Sequence, residues 1–227
     1  MPRPMKAPDA EYFSGDDDRR IFEDLMAGWM HGAPMTERAG NPWMAALLHW
    51  PGYAKNRIEL SRLLLTIPER EGSYSHADRE WADMVLSTHM STNVVMSGHL
   101  PDALGAGVRP EAIAAVRAGR EEELTETEKL LADFCRKIVD GGVDDETYGA
   151  VEAYMGERAT VEYVIFVTVL HETMRQIQAL GGRDPSDEEV DQWLREYRDG
   201  TREVPGDWRT RAIGTGEGDE AAAPATA

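Results

Sequence analysis

The chain has 227 residues, with 24 Lys and Arg against 42 Asp and Glu and a formal net charge of −18. That balance argues against nucleic acid, whose phosphates need clustered Lys and Arg, and against anionic membrane surfaces. Cys135 is the single cysteine, which excludes an internal disulfide and any cysteine-based metal site.

No basic stretch followed by an apolar run opens the chain, so no secretory signal is expected. The longest apolar run, 163–170, falls far short of the roughly 20 residues of a spanning helix. A cytoplasmic protein with no membrane and no nucleic-acid partner is the expectation.

Residues 1–16, rich in Pro, Asp and Gly, read as an irregular arm. A helix is predicted over 17–30, with Ile21, Phe22, Leu25, Met26 and Trp29 as its apolar stripe. Pro42 opens a short helix through Trp50, ended before Pro51, and another follows over 53–65 until Ile67-Pro68. Ser75 with Asp78 three residues on reads as the N-cap of a helix that carries Glu80 and ends at His89. The next helix carries His99 and stops at Gly105 and Gly107; Arg109-Pro110-Glu111 starts another.

Thr125 with Glu128 forms a capping box for a helix to about Val139, which buries Leu130, Leu131, Phe134 and Cys135. Residues 144–155 form one more helix, and 160–180 a long apolar one closed by Gly181-Gly182. Ser186 with Glu189 caps a last helix to Tyr197, and 201–227 reads as a low-complexity, disordered tail. No segment alternates with period two. The expected class is all-α: a compact bundle of about eight helices in one domain over 17–200.

Glu80 and His99 lie nineteen residues apart on consecutive predicted helices, with no cysteine between them. A carboxylate and an imidazole brought together pass a proton without a cofactor, so acid–base chemistry is favoured over thiol redox. His99 shares a helical face with Thr92, Val95, Met96 and Asp102 or Ala103. An apolar wall around it would place its pKa near neutrality or below. Pro101 removes a partner of the Ser97 carbonyl and predicts a bend beside His99. Glu80, next to Arg79 and Trp81, reads as a border carboxylate that is solvated, paired with arginine, or orienting His99.

His171-Glu172-Thr-Met-Arg175 begins like a zinc-protease helix but has arginine where the second histidine is required. His171 and Arg175 share a face of an apolar helix expected to be buried, and so need partners: a substrate carboxylate or an acidic residue. Combining His89, His99 and His171 would give a three-histidine metal site. The leading reading needs no metal and no cofactor. Trp43, Trp50 and Trp29 read as core or interface aromatics, and Met84, Met90 and Met96 as gap fillers or pocket lining.

The ordered motifs resemble the carboxymuconolactone-decarboxylase-like family, which includes the alkylhydroperoxidase D type. They are Asn41-Pro-Trp43-Met-Ala-Ala-Leu47-Leu-His49-Trp-Pro51-Gly-Tyr-Ala54, Arg79-Glu80, His99 with Pro101 and Ala103, Gly105-Ala-Gly107-Val, and Arg175 before Ala179-Leu180-Gly181. The resemblance covers about 17–182. It implies a helical bundle assembled as a homotrimer or larger ring, with sites near subunit contacts.

The peroxidase branch of the family has a Cys-x-x-Cys where this chain has Thr92 and Val95, so thiol peroxidase activity does not carry over. Its decarboxylase branch has a Glu-Trp pair where this chain has Val95 and Met96. What the resemblance implies is a cofactor-independent enzyme acting on a small carbonyl, lactone or carboxylic acid compound by decarboxylation, ring opening or isomerisation. His99 would be the acid/base and Glu80 its support. Arg175, His171, Trp43, His89, Met96 and Val95 would be the substrate-binding set. The competing expectation is a family member that has lost its chemistry and serves as an oligomeric ligand-binding or scaffold protein.

Overall fold

The computed structural model describes residues 6–30, 33–181 and 183–204, without the side chains of Met30 and Glu69. The tail expected from 201 onwards therefore lies almost wholly outside the described residues. Eleven α-helices make up most of what is described, which bears out the all-α class.

Local signals set the helix ends. Helix α1 (Asp16–Met26) opens with three aspartates, whose charges favour a helix N-terminus. It stops four residues before the end of the predicted helix at 30. Gly28 follows it, and Trp29–Met30 (β1) pairs antiparallel with Ala33–Pro34 (β2), two residues each. Helix α2 (Met35–Arg38) leads to α3 (Pro42–Leu47), where the Asn41 side chain accepts from the amides of Trp43 and Met44. Pro51 begins α4 (Pro51–Thr66) as well as ending what precedes it. A proline in the first turn gives up an N–H that the helix would leave unused.

Then follow α5 (His76–His89), α6 (Asn93–Gly105), α7 (Pro110–Ala118), α8 (Glu126–Asp140), α9 (Asp145–Met155), α10 (Glu157–Leu180) and α11 (Asp187–Arg198). Reciprocal capping boxes close at Ser75/Asp78, Thr125/Glu128 and Ser186/Glu189, as the sequence spacing predicts. Helix α6 continues through Pro101. Gly141, at φ 76°, terminates α8 in the left-handed region.

The Ser75 cap bears on the site, because it fixes the first turn of α5. Ser75→Ala removes the acceptor for the Asp78 amide and is expected to destabilise the fold by about 1 kcal/mol. Urea unfolding followed by far-UV circular dichroism measures this; an unchanged midpoint would contradict the role.

The described residues divide into two compact units, 6–66 with 176–181 and 67–175 with 183–204. In the first, Phe13, Phe22, Leu47, Leu48 and Ala54 form one buried cluster, and Met35, Met44 and Ile58 another.

The second unit is built around α5, which packs against α6, α7 and α8. Every α5 residue over 78–87 is buried, as is His76. Met96, Leu100 and Ala103 of α6, Ile113 of α7, and Leu131, Phe134 and Cys135 of α8 are buried in the same unit. Tyr163 of α10 lies parallel to the Phe134 ring at 6.5 Å and donates its hydroxyl to the Asp78 carbonyl at 3.0 Å. Only one face of α10 is buried, through Tyr163, Phe166, Val167, Leu170 and Met174; Val161 and Ile165 are 48% and 50% exposed. No helix among the described residues is long and apolar enough to cross a membrane.

Candidate active site

Helix α5 places charged residues where an ordinary core would be apolar. Burying a carboxylate is costly unless charge and hydrogen bonds compensate it, and Glu80 is 0% exposed. Its Oε1 accepts from Arg79 Nη1 at 2.5 Å and lies 3.1 Å from His76 Nε2. Its Oε2 lies 3.1 Å from His99 Nδ1 on α6. Residues three and four apart share a helical face, so Asp83 and His76 belong beside Glu80. Asp83 is 1% exposed, and its Oδ2 lies 3.4 Å from the same His99 Nδ1. The guanidinium of Arg79 also covers the Phe166 ring at 5.6 Å.

His99 thus sits across two buried carboxylates, while its side chain remains 33% exposed. Nδ1 is the ring nitrogen turned to Glu80 and Asp83. Burial alone would push the imidazole down, but Asp83 and then Glu80 outweigh it and raise its pKa to about 9. This corrects the expected value at or below neutrality. The wall that decides it is carboxylate from α5, not the apolar face of α6.

Burial pushes Asp83 up to about 6; Glu80 adds to that while His99 opposes it. Burial also works against ionised Glu80, yet Arg79, His99 and His76 together hold it below the ordinary glutamate range. Two negative charges against the one on Arg79 leave room for one more positive charge. A proton on His99 supplies it.

Glu80 is therefore no border carboxylate but the centre of the cluster. Sequence reasoning missed His76 and Asp83, although each falls within one turn of Glu80. Reading α5 as a helix buried on all sides would have found both.

His89, His171 and Arg175 make other contacts. His89 Nε2 lies 3.1 Å from Asp140 Oδ1. His171 accepts from Arg175 Nε at 3.2 Å, and burial and the Arg175 charge lower its pKa. Arg175 is exposed, which corrects the expectation that this face is buried. Among the described residues, no trio of metal-ligating side chains containing His89 or His171 converges, so the three-histidine site is not formed.

Val95 and Met96 are buried on α6, and Met96 Sδ accepts from Arg117 Nη1 at 3.2 Å. Trp43 belongs to the first unit; its indole N–H donates to Gln176 Oε1 at 3.1 Å, and the Arg57 guanidinium covers its ring at 5.6 Å. Trp29 and Trp50 are 48% and 66% exposed, so neither is a core aromatic. Cys135 is fully buried, and burial raises its thiol pKa to about 12. A thiolate there is disfavoured.

A polar cleft of about 1070 Å³ lies among α5, α7 and α11, and none of Glu80, Asp83 and His99 lines it. Its half-buried cation, Arg117, is already held by Asp191 at 2.8 Å and Asp187 at 3.3 Å. Comparison of the chain with protein-family models, curated proteins and solved structures finds no match.

Proposed function

We propose that the protein is a cofactor-independent acid–base enzyme of the carboxymuconolactone-decarboxylase-like type, lacking the redox cysteines. The observation that carries this reading is His99, hydrogen-bonded through Nδ1 to Glu80, with the Asp83 carboxylate 3.4 Å from the same nitrogen. The ordered motif resemblance supports it. Glu80 and Asp83 fix the ring and stabilise its charged form, much as a buried carboxylate serves a catalytic histidine elsewhere. The imidazolium donates the Nε2 proton to a carbon or oxygen of a small carbonyl, lactone or carboxylic acid substrate, and the neutral ring takes a proton back later in the cycle. Decarboxylation, lactone opening and isomerisation each need such a transfer beside a carbonyl. A homo-oligomer, trimeric or larger, and a cytoplasmic setting belong to the same proposal.

The test is turnover of a panel of lactones and β-keto acids by the wild type and by His99→Ala. The expected result is one compound class consumed by the wild type and spared by the variant. Equal turnover by both proteins would overturn the assignment. A wild type inert to the whole panel would favour the ligand-binding or scaffold alternative.

A further inference from the structure

The atoms that surround the His99 proton also meet the requirements of a cation site. Glu80, Asp83 and His99 each offer one ligand atom, all within 4.8 Å of one another. Nitrogen and oxygen ligands about 2.1 Å from a shared ion lie about 3.0 Å apart at a right angle and about 3.4 Å apart at a tetrahedral one. The measured separations from His99 Nδ1 are 3.1 Å to Glu80 Oε2 and 3.4 Å to Asp83 Oδ2.

A second observation is independent of spacing. Asp83 Oδ2 is buried and has no hydrogen-bond donor. A buried carboxylate oxygen in that state is costly, and such groups are rare without a reason. Glu80 differs: its Oε1 is engaged by Arg79 and His76, which orients Oε2 toward His99, as outer partners orient ligands around a metal. The two carboxylates exceed the Arg79 charge by one, so the pocket favours a cation.

From these observations we propose that Glu80, Asp83 and His99 form a divalent-cation site. One imidazole and two carboxylates without a thiolate suit Zn²⁺ or Mn²⁺ and do not suit Cu(I). The one-third exposure of His99 provides a way in and leaves room for water ligands. The ion takes the place of the Nδ1 proton, so it would act as an inhibitor of the proposed acid. Binding is read without turnover, which keeps this inference separable from the enzymatic one.

The experiment is calorimetric titration of untagged, metal-free protein with ZnCl₂ at fixed pH. Three variants accompany the wild type: Asp83→Asn, His99→Gln, and Asp140→Asn as a control for the acidic surface. The expected result is one Zn²⁺ per chain, bound at least tenfold more weakly by Asp83→Asn and by His99→Gln, and equally well by Asp140→Asn. Because His99 is partly exposed, its variant is informative even if Asp83→Asn folds poorly. Absence of saturable binding, or equal binding by His99→Gln and wild type, would overturn the proposal.

Discussion

Replacing Glu80 with alanine is expected to destabilise the protein by about 3–5 kcal/mol, the range for removing one partner of a buried charge pair. The substitution leaves Arg79, 7% exposed, and His76, 2% exposed, without the carboxylate they converge on. Asp83→Asn is expected to behave differently. Asp83 faces Glu80 as a like charge, and its carboxyl is already pushed up to about 6. The isosteric amide removes that repulsion, so a loss below about 1 kcal/mol is expected, within the range of a single hydrogen bond. Urea unfolding of the two variants beside the wild type measures the difference. Equal losses, or the reverse order, would contradict the assignment of Glu80 as the centre of the network.

The second large effect concerns rate. His99→Ala is expected to lower turnover of whichever substrate the panel identifies by about 10²–10⁴-fold, the usual contribution of a positioned acid or base. His99→Gln should lose as much, because its amide can occupy the space but cannot transfer a proton. Both variants should remain folded, since the side chain is one-third exposed and Glu80 keeps Arg79 and His76. A loss under tenfold would move the chemistry away from His99.

What could be read from sequence was mostly local. Ser75, Thr125 and Ser186 announce their helices because a capping box is closed by residues three apart. Glu80 and His99 were legible as a pair through their spacing and the motifs around them, and the structure does bring them to 3.1 Å. The environment of that pair was not. A polar residue in a helical pattern normally marks the solvent side, so Glu80 looked like a border residue. On α5 the charged side chains instead satisfy one another inside the unit, and the helix shows no solvent face over 78–87.

The same rule failed in the other direction on α10. There Val161 and Ile165 are apolar yet half exposed. At α1 the stripe ran on to Trp29, while the chain left the helix at Met26. Periodicity reports which faces can be buried. Which of them are buried is decided by packing partners far away in sequence.

The electrostatics of His99 can be measured without knowing the substrate. Metal-free protein titrated by NMR, with the His99 ring assigned through His99→Gln, gives its protonation midpoint directly. Because that midpoint lies above the ordinary value near 6.5, the charged ring contributes stability fully below about 6.5 and loses it as pH rises through about 9. The expected result is a midpoint near 9 that falls in Asp83→Asn. A midpoint at or below 6.5 would contradict an imidazolium held between two buried carboxylates.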